Sequence, residues 1–371
     1  MNDHRLRRAF TSRISFSNCK AVLLIVLALN VSASVFAGMA PALFVNPQRA
    51  VSNTWYVTIV LPPRVAGGSP ATLAVLGADG RLAPNVNVEI GNAQSVKTDN
   101  TGRAFFTAPK DADAMFATAA GASAVALVEK NPTVTVGSAT ASLTVAPVVS
   151  LKDRFSICGG GFRGDADADR VTMNGDRALV VAASPECLVV LPSPRATPGP
   201  ARLSVDSAGG QRTVTTTLVS LQFEEPQPAP VPGERSQLTL HVEGSDSPLA
   251  ITITNETPGV LSFLHGDTQE LKTSGGTRNI AQVEISALRS GDFSFSAKLI
   301  PPPDMTAAER YLSAAVPLAP KDLQKRVKSA ADRLASHPND REKVHQEVTK
   351  MISTTIDGNF RTLLEAARSA L

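Results

Sequence analysis

The chain is poor in aromatic residues: one Trp, two Tyr and 14 Phe make up 5% of its 371 residues. Sugar sites stack rings on Trp and Tyr faces, so glycan recognition starts with little material. Cysteine is scarce at three, which excludes a disulfide-dense mini-protein. Charge is nearly balanced, with 36 Lys+Arg against 33 Asp+Glu. Glycine, at 25, is far below a collagen repeat, and 43% hydrophobic residues is too many for a mainly disordered chain. Long apolar runs are missing except near the amino terminus. The length exceeds one ordinary compact domain and predicts roughly two to four.

The amino-terminal run is specific. Arg5, Arg7, Arg8, Arg13 and Lys20 form a basic leader, followed by the unbroken apolar stretch Ala21 to Leu29. The stretch continues less purely to Val35-Phe36-Ala37, which suits a signal-peptidase site. Residues 21–37 are short for a helix crossing a roughly 30 Å hydrocarbon core. An export signal over 1–37 is therefore expected, with a periplasmic or extracellular product. The competing reading is an uncleaved anchor, and only then is a membrane a partner.

Cleavage after Ala37 removes five of the 36 bases and one of the 33 acids, leaving 31 and 32, a net charge of −1. Charge then gives no support to a nucleic-acid partner. Cys19 leaves as well, so Cys158 and Cys187 remain. An even cysteine count in an oxidising compartment predicts a disulfide closing a loop of about 30 residues. Two buried thiols are the plain alternative. Zinc is disfavoured, because no histidine lies near either cysteine.

From Trp55 to Thr217 apolar residues alternate in short runs broken by Gly, Asn, Asp and Pro. Val57 and Ile59, then Leu73 and Val75, then Val86, Val88 and Ile90 show the pattern. A last run, Ala122 to Val128, precedes Asn131-Pro132. Regular short strands with turn signals predict antiparallel sandwiches.

Two segments resemble known families. Asp79-Gly80, Pro84 to Val88 and Thr98 to Phe106 are similar to bacterial Ig-like domains of the invasin type and to carboxypeptidase-regulatory-like modules, over about 54–130. Gly161-Phe162, Val171 to Gly175, Leu188 to Pro192 and Leu203 to Val205 resemble an IPT/TIG domain, over about 146–223. Both resemblances imply an Ig-like fold and say little of activity. A Cys158–Cys187 bridge between the two IPT/TIG strands is reasonable there but is not a family requirement.

Residues 224–236 carry alternating prolines and read as a semi-rigid spacer. Alternation returns at Leu238, Leu240 and Val242, at Leu249, Ile251 and Ile253, at Ala281, Val283 and Ile285, and at Phe293, Phe295, Ala297 and Leu299. Residues 237–300 are read as a third small sandwich, crowded at about seven strands. After Pro301-Pro302-Pro303 the period changes to a helical one. Thr306 with Glu309, and Asn339 with Glu342, read as helix caps. Leu323, Val327, Ala330 and Leu334 form one apolar stripe; Val344, Val348, Met351, Ile352 and Ile356 form another; Phe360, Leu363, Leu364 and Ala367 resume it. These stripes need cover from each other, from the third sandwich or from a partner. Leu323, Val327, Leu334, Val344, Val348 and Met351 are the candidate partner-binding residues.

Catalytic motifs are sparse. His241, His265, His337 and His345 lie in no H-E-x-x-H, and the mature chain has no G-x-S-x-G or phosphate loop. Asp165, Asp167 and Asp169 alternate as calcium ligands can, but Arg170 replaces the glycine of an EF-hand loop. Solvated loop carboxylates are the other reading. Arg163-Gly164-Asp165 spells an integrin-recognition tripeptide, a match short enough to arise by chance. Lys321, Lys325, Arg326 and Lys328 form a basic face diluted by Asp322 and Asp332.

The expected architecture is mainly β: a sandwich over 53–145, a second over 146–223, a linker at 224–236, a third sandwich over 237–300, and a helical region over 303–371. The expected function is non-enzymatic: an exported protein whose tandem modules serve protein–protein interaction, adhesion or scaffolding. No catalytic, cofactor or metal residues are expected. Its partner would be an envelope or extracellular protein, or a second copy through the helices. A carbohydrate-binding accessory protein is the alternative.

Overall fold

The structure, a computed structural model, describes residues 57–91, 94–130, 142–224, 226, 230–356 and 358–371. The expected export signal and the Trp55-Tyr56 pair lie outside the described residues.

The first sandwich uses β1 (Thr58–Val60), β2 (Arg64–Ala66), β3 (Pro70–Leu76), β4 (Asn87–Ile90), β5 (Gln94–Lys97), β6 (Arg103–Thr107), β7 (Ala114–Ala119) and β8 (Ala122–Glu129). β1, β3 and β6 form one face; β2-β8-β7-β4-β5 is the other. The alternating residues read from the chain, Leu73, Val75, Val88 and Ile90, meet between them with Phe106, Met115 and Val128. Alternation works because successive strand side chains point to opposite faces.

The second sandwich uses β9 (Thr144–Val145), β10 (Val148–Ser150), β11 (Phe155–Cys158), β12 (Arg170–Met173), β13 (Asp176–Arg177), β14 (Leu179–Ala183), β15 (Cys187–Leu191), β16 (Gly199–Ser207) and β17 (Gly210–Glu224). Its core holds Ile157, Phe162, Met173, Leu188 and Leu203. The Arg212 guanidinium lies 5.0 Å from the centre of the Phe162 ring.

The third sandwich adds β18 (Arg235–Glu243), β19 (Ala250–Asn255), β20 (Leu261–Phe263), β21 (Thr268–Lys272), β22 (Ile280–Ala287) and β23 (Phe295–Leu299). Leu238, Leu240, Ile251, Ile253, Val283 and Ile285 fill its core as their period requires. Phe295 lies within 5.6–5.8 Å, centre to centre, of Phe223, Phe263 and Phe293. The seventh strand is borrowed. β17 runs for 15 residues; its first part pairs with β16 and its last, Ser220–Glu224, pairs with β18. The proline-rich run 224–236 therefore joins two paired strands of one sheet and does not hold two bodies apart. At this seam a Cβ on Gly244 would stand 2.3 Å from the Leu218 carbonyl oxygen, so only glycine fits.

The first and second sandwiches also share a sheet, through a β3–β14 pairing at Thr72 and Ala183. All of β3 except Pro70 is buried. One face of it serves the first core, and the other packs Ala74 and Leu76 against Val181, Ala182 and Val189 of the second sandwich. The Thr72 hydroxyl donates to the Gly164 carbonyl at 2.7 Å. Arg103 donates to the Val180 carbonyl and to Asp167, each at 2.7 Å.

Four helices follow: α1 (Met305–Ala315), α2 (Lys321–Ser336), α3 (Arg341–Thr354) and α4 (Asn359–Ala370). The expected caps are corrected. Asp304 caps α1, its Oδ1 accepting the Ala307 N–H at 2.9 Å, because the short carboxylate two residues before Thr306 reaches the first free amides. α3 opens from Asp340 after a short 3-10 turn, not from Asn339. Ile356 lies beyond the end of α3 and is 89% exposed, so it is no part of the stripe.

The helices return to the first sandwich, not the third. Their core runs through Leu312, Val327, Val348, Met351, Leu363 and Leu364 to Leu127, with Ala114, Phe116 and Val125 packed against it. Arg310 donates to Glu129 at 2.5 Å and to the Val128 carbonyl at 3.1 Å, across more than 180 residues of chain. The run Ala122 to Val128 explains this. A strand apolar on both faces needs cover on both: Ala126 and Val128 face the sandwich core, while Val125 and Leu127 face the helices.

Candidate functional site

A cavity of about 570 Å³ opens where all four units meet. That size suits a small molecule. β2 supplies Arg64 and β8 supplies Leu127. The turn from β10 to β11 supplies Asp153 and Arg154, and β11 supplies Phe155. β23 supplies Lys298, the cap of α1 supplies Asp304, and α1 supplies Tyr311. The position follows from the fold, because only the return of the helices to β8 brings α1 over the second sandwich.

Its floor is apolar, with Leu127, Val149, Phe155 and Tyr311 buried. Arg64 is half-buried, while Arg154 and Lys298 stand exposed at the rim. Protein crowding the Arg154 guanidinium lowers its pKa, partly offset by Asp153. Burial pushes the Tyr311 phenol up to about 12, so it stays a hydrogen-bond donor at any ordinary pH. Beside the cavity, burial and the neighbouring Glu129 raise the Glu186 carboxyl, against Arg64, which lowers it.

The sequence-derived candidates fall elsewhere. Leu323, Val327, Leu334, Val344, Val348 and Met351 are all buried in the helical core. Their reading as a docking stripe is corrected: the chain covers them itself, because α1, α4 and β8 close over the two stripes. Cys158 and Cys187 form the expected disulfide, directly opposite each other on neighbouring β11 and β15. The bridge lies within one sheet, whereas the antibody-type bridge joins two.

The aspartate loop is not simply solvated. Asp167 pairs with Arg103 of the first sandwich, and Asp165 accepts the Asp167 N–H at 2.9 Å. Asp169 is 3% exposed and accepts the Arg163 N–H at 3.2 Å. Among the described residues no group of three or more His, Cys, Asp and Glu could hold a metal ion. The Arg163-Gly164-Asp165 tripeptide is tied into the first junction. A Cβ on Gly164 would stand 2.2 Å from the Pro70 carbonyl oxygen, and its φ of +74° favours glycine too.

Burial is the largest influence on Asp169 and raises its pKa to about 6. Between about pH 4 and 6 the folded chain therefore holds a proton that the unfolded chain has lost. That contribution to stability is present below pH 4, falls away as pH rises to 6, and is absent above. Asp169→Asn removes the decline. At pH 7 it is expected to raise stability by up to about 3 kcal/mol, read from urea unfolding at pH 4 and 7. A variant less stable than the parent at pH 7 would show that the ionised carboxylate is favoured where it sits.

His241 points away from the core, with Nε2 2.9 Å from Glu224 Oε2. His337 Nδ1 is 2.8 Å from the Ser336 hydroxyl at the exposed end of α2. Neither lines the cavity. The residues that do line it come from four separated segments, so no local motif announced them. The nearest signal was the two-sided apolar run in β8.

The fold defines the class: a mainly β protein of tandem antiparallel, Ig-like sandwiches with an α-helical carboxy-terminal region. No family model matches the chain, and no curated protein matches it. Among solved structures it is similar to the SGBP-B protein of the Bacteroides ovatus mixed-linkage glucan utilization locus, in complex with a mixed-linkage heptasaccharide. That match has 11% identity and a TM-score of 0.25, over 64% of this chain and 73% of the other. The titin I9–I11 tandem gives 11% identity and a TM-score of 0.19, over 66% and 95%. The four amino-terminal Ig domains of Dscam1 give 10% identity and 0.20, over 64% and 73%. Scores this low leave the fold class resting on the sheets described above.

Proposed function

We propose that the protein is a non-enzymatic, exported interaction protein, a fixed scaffold that presents binding surfaces on joined sandwiches. The observation that carries this reading is the joining itself. The β3–β14 pairing and the shared β17 tie successive units together, and the Arg310–Glu129 contact ties the first sandwich to the helical unit. Such joints hold surfaces at set spacings, which suits binding. The Cys158–Cys187 disulfide supports an oxidising compartment and hence export. The Ig-like sandwich fits this role without fixing it, since folds of this kind host many functions.

The test is cross-linking of the tagged full-length chain in intact cells, after fractionation. The reading expects the chain in the exported fraction, with a reproducible protein adduct. A chain found only in the cytoplasm would sink it. Retention on polysaccharide without any protein adduct would replace it with the carbohydrate-accessory reading.

A further inference from the structure

We infer that the four-unit junction cavity binds a small amphipathic anion, a carboxylate or phosphate carried on a flat apolar body. The inference rests on the binding role proposed above and names a ligand class for it. Three observations on the cavity point the same way.

The first is the polarity of the available groups. Arg64, Arg154 and Lys298 line one concavity, and among the described residues none of their side chains donates a hydrogen bond; Arg64 interacts electrostatically with Glu186 and Arg154 with Asp153. Each can only donate. The second is Tyr311. It is 8% exposed and lines the same space, and its hydroxyl has no hydrogen-bond partner among the described residues. The ring is buried, while the hydroxyl keeps contact with the open cavity and is free to donate to a ligand there. The third is the balance of acceptors. Asp304 Oδ1 is committed to the Ala307 N–H, and Asp153 neighbours Arg154 in the chain. Counting lining residues alone, three cations face two carboxylates, one net positive charge; Glu186, just outside the lining, acts on Arg64, and burial raises its pKa.

The apolar half of the ligand follows from the floor. Phe155, Leu127, Val149 and the Tyr311 ring offer a surface that a bare inorganic anion would not use. Charge at the rim and apolar surface beneath favour a molecule with the same division. The cavity is assembled from all four units, so a bound molecule would also brace their junction. Ligand that binds only the folded chain stabilises it by mass action.

The experiment uses the full chain and four probes: 2-naphthoate, 2-naphthyl phosphate, the neutral 2-naphthamide, and inorganic phosphate. Binding is followed by calorimetry and by the shift in melting temperature. One or both naphthyl anions are expected to bind at least tenfold more tightly than the amide and than inorganic phosphate. Whichever naphthyl anion binds tighter names the head group. Arg154→Gln with Lys298→Gln, both at exposed positions, is expected to weaken the anion at least tenfold while leaving the melting temperature of the free protein unchanged. Tyr311→Phe keeps the ring packing and is expected to weaken it about threefold to tenfold. Equal binding of the amide, unchanged affinity in the double variant, or no binding of either naphthyl anion would overturn the inference. None of those outcomes bears on the cross-linking result, so the two readings fail separately.

Discussion

Ending the chain at Ile300 turns it into a self-associating protein. The truncation removes α1 to α4 and strips the cover from the outer face of β7 and β8. Leu127, buried in the complete chain, becomes exposed with Phe116, Val125 and Ala114. Burying a large apolar side chain contributes about 1.5–3 kcal/mol. Losing the cover of Leu127, Phe116 and Val125 together therefore costs roughly 3–6 kcal/mol, since two of the three are only half-buried. The Arg310–Glu129 pair goes with them. A contiguous apolar strand face seeks another surface, usually a second copy of itself. Light scattering at matched concentrations is expected to show larger species for the truncated chain than for the full one. A hydrophobic dye should report the new patch. A truncated chain that stays monomeric and binds no dye would mean that the helices are not a third layer on the first sandwich. The same contact can be probed in the complete chain: Leu127→Ala should destabilise it by about 2–5 kcal/mol.

Breaking the Cys158–Cys187 bridge has the second large effect. The closed loop spans 29 positions of sequence. In the chain-entropy model, closing a loop of that size restricts the unfolded ensemble by about 3–4 kcal/mol. Both sulfurs also belong to buried residues, so paired serines would bring hydroxyls into a site with no solvent to satisfy them. Cys158→Ser with Cys187→Ser is therefore expected to lower stability by at least about 3 kcal/mol in denaturant titrations. Reduction of the parent should show the loop-closure part of the loss without the cost of the buried hydroxyls. A change below about 1 kcal/mol would show that residual structure already restricts this loop in the unfolded chain. Thiol titration of unfolded, unreduced protein should find neither cysteine free.

Much of the sandwich architecture was legible because it is local. The alternation at Val88-Ile90, Leu238-Leu240-Val242 and Ala281-Val283-Ile285 needs only the two-residue period of a strand. The helical stripes at Leu323-Val327-Leu334 and Val344-Val348-Met351 likewise need only the helical period. Where this reading went astray, the signal was of another kind. Six apolar helix residues suit a partner from the chain alone, since a stripe does not say what covers it. The run 224–236 read as a spacer because composition cannot report that β17 and β18 pair on either side of it. Asp169 read as a loop carboxylate, although the fold removes it from water.

By itself, the order of residues determined the strand and helix periods, the break at Pro301-Pro302-Pro303, and the two cysteines able to pair. Only the tertiary structure decided which surfaces those elements spend on one another. It sent the helices back to β8, merged neighbouring sandwiches through β3 and β17, and gathered Arg64, Arg154, Lys298 and Tyr311 around one cavity. The physical reason is distance along the chain. Periodicity records which face of an element must leave water, whereas its covering partner, here more than 180 residues away, is chosen by the packing of the whole. The shortage of tryptophan and tyrosine reads differently in that light. One of the two tyrosines is Tyr311, and it stands in the junction cavity.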